Sequence, residues 1–184
     1  MGRVLAKRAL VPHPIGPSPN ISVGCKLSRF GSDALKLEYV VVGDTGKIRW
    51  PAAAVAEETE GLWNATCFEL FLAQADGAYI EYNFAPSCAW ANYRFDGYRD
   101  GMAPAFDLQP PEIFIERADQ RFGLIAFVEL PVGGIEAVRS VALSAVIEET
   151  DGTKSYWALA HPPGKPDFHH PACFAATLPA PEAP

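Results

Sequence analysis

The chain is short of positive charge. Its 15 Lys and Arg stand against 22 Asp and Glu, a net charge of −7. Such a surface repels phosphate backbones, so nucleic acid is excluded as a partner. Long apolar runs are also missing, and nothing approaches the length that spans a bilayer. The first residues (MGRVLAKRALVPHP) carry positive charge but no apolar core before the prolines. No secretion signal is read there. Cysteine is sparse: Cys25, Cys67, Cys88 and Cys173 are far apart, with no C-x-x-C pair. Four reduced, mostly buried thiols and a cytoplasmic location are therefore expected. No G-x-S-x-G elbow, phosphate loop or G-x-G-x-x-G stretch occurs, so acyl-transfer and nucleotide motifs are absent. Beyond the initiator the only methionine is Met102. A haem would need axial His or Met, and Met102 with His161 is the one pair to consider.

What is present is a series of short β-like runs broken by turn residues. Runs at 4–11, 21–27, 35–42, 67–72, 79–84, 88–95, 112–116, 122–130, 141–148 and 155–160 are rich in Val, Ile, Phe and Tyr. Most alternate apolar with polar. Gly43-Asp44-Thr45-Gly46, Asp76-Gly77, Asp96-Gly97, Gly133-Gly134 and Asp151-Gly152 separate them with good turn chemistry. Only 51–61 (PAAAVAEETEG) suggests a helical turn or two. The pattern predicts an all-β, single-domain antiparallel β-sandwich over 1–178, followed by a frayed tail at 179–184.

Residues 63–99 are the most informative stretch. They hold two of the four tryptophans and four of the six tyrosines, among Glu69, Glu81, Asn83, Arg94 and Arg99. Strand alternation puts Glu69 with Cys67 and Phe71, and Glu81 with Tyr79 and Asn83. A turn at 85–88 would set Asn83 opposite Trp90 and Glu81 opposite Asn92, gathering Trp90, Asn92 and Arg94 onto that polar face. Phe68, Leu70, Ile80, Tyr82, Phe84, Ala91, Tyr93 and Phe95 would then form the core face. A loop spanning 73–78 keeps Glu69 beside Glu81. Two neighbouring carboxylates would call for Arg94 or Arg99 close by. Aromatic faces beside carboxylates, amides and guanidinium groups suit a flat, hydroxyl-rich small molecule. The candidate ligand-binding set is Trp63, Glu69, Glu81, Asn83, Trp90 and Arg94. No metal site is expected, since the adjacent His169 and His170 of an extended chain point apart. Glu69 and Glu81 also make a candidate glycosidase pair, since that chemistry needs two carboxyls flanking a bond.

The spaced residues Trp63-x-x-x-Cys67-Phe68-Glu69-x-Phe71-Leu72, Glu81-x-Asn83-x-x-Pro86-Ser87 and Trp90-Ala91-x-Tyr93 resemble the DOMON-like superfamily. That superfamily includes family 9 carbohydrate-binding modules and haem- or sugar-binding DOMON domains. The segment 166–174 (PDFHHPACF) resembles their closing motif. The resemblance implies a β-sandwich with a ligand site on one sheet face or its rim. It also implies a sugar clamped between two tryptophans. Trp63 and Glu69 match the first tryptophan and its carboxylate, with Asn83 and Arg94 as hydroxyl partners. The chain departs from the pattern in its closing loop (HPPGKPDFHHPACF), which has no tryptophan but offers Phe168, His161, His169 and His170.

Overall fold

The computed structural model describes residues 3–31, 33–52, 54–130 and 134–178. Among these residues the alternating runs become eleven strands: β1 (Val4–Pro12), β2 (Ile21–Phe30), β3 (Ala34–Gly43), β4 (Cys67–Ala73), β5 (Tyr79–Phe84), β6 (Trp90–Phe95), β7 (Ala103–Pro104), β8 (Glu112–Ala118), β9 (Arg121–Glu129), β10 (Ser140–Glu148) and β11 (Lys154–Ala158). Only the two-residue β7 has no counterpart among the runs read from the sequence. The helical turn expected over 51–61 is not found among its described residues. That stretch is extended or irregular where described, and Glu58 bridges Trp90. Its one neighbouring turn is a 3-10 turn at Leu62–Asn64. Pro51 and a lone Ala-rich run supply too little for a helix nucleus in water. Among the described residues no helix is long and apolar enough to cross a membrane. The expected tail at 179–184 lies outside the described residues.

All eleven strands join one antiparallel sheet, in the order β7-β6-β5-β4-β10-β11-β1-β2-β3-β9-β8. The sequence suggested separate sheets. Instead β1 serves both halves: its residues 4–10 pair with β2, and Val11 and Pro12 pair with β11. The sheet curls so that its two halves share one core. Tyr39 of β3 packs on Phe68 of β4 at 5.0 Å, and Phe68 stacks on Phe122 of β9 at 5.8 Å. The Tyr39 hydroxyl donates to the Glu69 carbonyl across this core, as the Tyr82 hydroxyl does to that of Glu129. Glycine is required at Gly43, which ends β3 at φ 122°, where a Cβ would lie 2.3 Å from the Asn20 carbonyl oxygen.

The half that holds β4, β5 and β10 is buried on both faces, so its strands do not read as half-wet. One face carries Phe68, Leu70, Leu72, Ile80, Tyr82 and Phe84 into the shared core. The other holds a second cluster that includes Phe71, Tyr79, Tyr93, Phe95, Phe168 and Cys173. The closing segment, with a 3-10 turn at Pro171–Cys173, lies over this second face.

The β5–β6 hairpin corrects the face assignment. Its loop has five residues, closed by Ala85 N–H to the Ala89 carbonyl at 2.9 Å, with Cys88 left-handed at φ 72°. Asn83 therefore faces Ala91, and Glu81 faces Tyr93. A slip of one residue sends every β6 side chain to the opposite face. Trp90, Asn92 and Arg94 point away from the carboxyl face, while Ala91, Tyr93 and Phe95 share it.

Candidate functional site

The second face opens into a cavity of about 370 Å³, within the range of small-molecule sites. Its floor is strand: Glu69 from β4, Glu81 from β5, Phe95 from β6, Val146 from β10 and Tyr156 from β11. Its walls are loop: Trp63 and Asn64 on one side, Arg99 and Met102 on another, and Pro166, Phe168 and His169 from the closing segment. Lys154 stands at the margin, its ammonium 2.6 Å from the Asn64 carbonyl.

Glu69 and Glu81 lie on adjacent strands as a diagonal pair, since Glu69 faces Asn83 and Phe71 faces Glu81. The hairpin loop over 74–78 preserves the parity that puts both on one face. They are 2% and 4% exposed. Each spends one oxygen on the protein. Glu69 Oε2 accepts from the Ser144 hydroxyl at 2.9 Å, and Glu81 Oε1 accepts from the Asn83 amide at 2.8 Å. The other oxygen of each accepts no hydrogen bond among the described residues, and both side chains line the cavity. Burial raises both carboxyls far above the ordinary range, Glu69 to about 8 and Glu81 to about 7. Charge on Glu81 raises Glu69 further, whereas Ser144 holds it down; for Glu81 the opposing groups are Asn83 and then Arg99. The pair titrates as a unit around neutrality and shares protons there.

A hydrogen-bonded chain covers the pair. The Arg99 backbone N–H donates to the Tyr79 hydroxyl at 3.3 Å, and that hydroxyl meets His169 Nδ1 at 2.8 Å. With Tyr79 donating, the imidazole proton sits on Nε2, which faces Glu81 Oε2 at 3.9 Å. Burial, then the positive charge of Arg99, lowers His169 to about 4, so near neutral pH this contact is a neutral ring beside a carboxyl and not an ion pair. Arg99 is itself committed to Asp167, through Nη2 at 2.8 Å and Nε at 3.2 Å. Tyr79 stacks on Phe95 at 4.6 Å, and Trp63, 38% exposed, meets the Tyr93 ring edgewise at 5.8 Å.

Of the residues singled out in the sequence, Trp63, Glu69 and Glu81 line the cavity. Asn83 is fully buried behind Glu81, orienting its carboxyl. Trp90 and Arg94 do not reach it. Trp90 is tied through its backbone to Glu57 and Thr59, and Arg94 forms a two-pronged ion pair with Asp107. The adjacent histidines do diverge: His169 enters the cavity, whereas His170 Nδ1 accepts from the Ala172 N–H. Met102 lines the cavity, but His161 sits on the Val11 carbonyl at 2.9 Å and does not, so the two are not set together as an axial pair. Among the described residues no three His, Cys, Asp or Glu form a metal-holding group. Of the two arginines expected near the carboxylates, Arg99 and not Arg94 lines the cavity, and Tyr79, Ser144 and His169 join the site from outside the candidate set. Tyr79 was findable, since alternation already placed it with Glu81 and Asn83. Ser144 and His169 arrive from strands and loops far along the chain.

No protein-family model and no curated protein matches this chain. Among solved structures it is similar to a Bacteroides uniformis protein described as a "putative carbohydrate-binding protein". The TM-score is 0.63, with 13% identity, over 92% of this chain and 84% of that one. At that identity the likeness is one of fold: an antiparallel, all-β chain of the same general course.

Proposed function

We propose that this chain is a non-catalytic binding domain whose cavity holds one small, carbohydrate-like ligand, on a two-layered scaffold of the DOMON-like kind. The observation that carries the reading is the cavity floor. Two buried carboxyls, each with one oxygen free of hydrogen bonds among the described residues, line the same cavity as the exposed Trp63. Hydroxyl groups both donate and accept, and a carboxyl pair that shares a proton near neutrality can answer both roles. Trp63 offers an apolar face for ring carbons, and Phe95, Phe168 and Met102 continue that surface. The description of the similar solved structure supports the same ligand class. In this proposal the four cysteines, all free, serve as small apolar packing in a reducing, cytoplasmic setting.

The test is a thermal-shift and calorimetric screen with neutral mono- and disaccharides at millimolar concentration. A ligand at about 100 times its Kd adds roughly 2.7 kcal/mol, a rise of roughly 5–10 °C for a domain of this size. Trp63→Ala should remove that rise while leaving the melting of the free protein nearly unchanged. No shift with any member of the screen would remove the reading's support.

One observation favours a second reading. A carboxyl kept protonated near neutral pH is what a general acid requires, so Glu69 and Glu81 are equipped for glycoside hydrolysis. Release of aryl alcohol from aryl glycosides, lost in Glu69→Gln and in Glu81→Gln, would establish that reading over the first.

A further inference from the structure

We propose, building on the carbohydrate-like reading of this cavity, that its preferred ligand is an amino sugar whose ammonium group seats between the open oxygens of Glu69 and Glu81. The pair sets two carboxyls side by side with no cation in ion-pair contact; Arg99 acts on Glu81 only from its place against Asp167. Ser144 and Asn83, which hold the inner oxygens, are neutral donors. Of the two cations on the wall, Arg99 is held by Asp167 at 2.8 Å. Lys154 is held by the Asn64 carbonyl at 2.6 Å and is not among the groups that act on either carboxyl.

The neighbouring ionisable groups bring no positive charge either. Burial keeps Tyr79, Tyr93 and Cys67 protonated and uncharged, and keeps His169 neutral. What remains is two side chains more than nine-tenths buried, both lining the cavity, each with one oxygen that accepts no hydrogen bond among the described residues. A primary ammonium supplies three donors and one positive charge, which fits two such oxygens with one donor to spare. Trp63, Phe95, Tyr156 and Phe168 give the cavity an aromatic lining, a surface that a cation tolerates better than an aliphatic one. A neutral sugar leaves at least one carboxyl protonated. An ammonium favours ionisation of both, so its binding expels a proton to solvent.

Isothermal titration with glucosamine, glucose and N-acetylglucosamine tests this, run at pH 5.5 and 6.5 in two buffers of different ionisation enthalpy. The expectation is that glucosamine binds at least about tenfold more tightly than glucose at pH 6.5. It should release close to one proton or more, so its affinity rises about tenfold or more between pH 5.5 and 6.5, the linkage for each proton displaced. Glucose and the amide-blocked sugar should show neither buffer dependence nor that rise. In Glu69→Gln/Glu81→Gln, which keeps the shape and the inner hydrogen bonds, the ratio of glucosamine to glucose affinity should fall to about one. Equal binding of glucose and glucosamine, or glucosamine binding without proton release, overturns the amino-sugar inference and leaves the carbohydrate-like reading standing. Failure of all three sugars to bind overturns both.

Discussion

Replacing Glu69 by glutamine should make the free protein more stable in mild alkali, although it alters a buried polar residue. A carboxyl whose folded pKa lies above its unfolded value holds its proton more tightly in the native state. Its stabilising contribution is fully present below the ordinary value of 4.5 and is lost as pH rises through the folded value, about 8 for Glu69 and about 7 for Glu81. His169 acts in the opposite sense. Its pKa falls from 6.5 to about 4 on folding, so it favours the native state above 6.5 and loses that contribution as pH falls towards 4. The two effects overlap below pH 6.5. Between 6.5 and 8 the carboxyl pair acts almost alone, because the shifted Tyr and Cys groups ionise above this window. There the linkage predicts a loss of about 2 kcal/mol in the wild-type protein.

Glu69→Gln keeps the side-chain shape and can still accept from Ser144. It removes one of the two raised carboxyls and relieves Glu81 of a charged neighbour. Urea unfolding at pH 6.5, 7.25 and 8, with the m-value held common, should show a pH slope cut by more than half. The variant should unfold later than wild type at pH 8 in a parallel thermal scan, with the gap narrowing as pH falls to 6.5. An unchanged slope would refute the reasoning, since it would mean that these carboxyls ionise freely in the folded protein. So would an equal destabilisation at every pH.

Phe68→Ala, which empties the centre of the shared core between Tyr39 and Phe122, should cost about 3–5 kcal/mol in chemical denaturation. Arg94→Ala should cost less than about 1 kcal/mol, because its partner Asp107 is well exposed, and it should leave any sugar isotherm unmoved. Gly43→Ala should lower the melting temperature by several degrees, since the added Cβ meets the Asn20 carbonyl in a left-handed conformation. Thiol titration of the unfolded, unreduced protein should count four free groups, with the native protein reacting slowly at Cys25 and Cys67, which are buried and held as thiols.

The strands themselves were written in the sequence. Val, Ile, Phe and Tyr alternate with polar residues between glycine-rich turns, and that local pattern survives any tertiary context, so ten of the eleven strands could be read from it. The parity of β4 and β5 was also legible: Glu69, Tyr79, Glu81 and Asn83 share a face because the pleat repeats every second residue. The register of β6 was not. It hangs on one extra residue in a loop without glycine, where Cys88 takes the left-handed turn, and nothing local to Ala85-Pro86-Ser87 announces that. That single residue moved Trp90 and Arg94 off the carboxyl face. Only the folded chain decided that β1 would join the two halves into one sheet. Only the folded chain brought Ser144 and His169 to carboxyls 75 and 88 positions away in sequence, as the Ser144–Glu69 bond and the His169–Glu81 contact show. The proton held by the carboxyl pair is likewise a tertiary property. A glutamate in a sequence is an ordinary acid, and its carboxyl is pushed above the usual range only when long-range packing removes water from both faces of its strand.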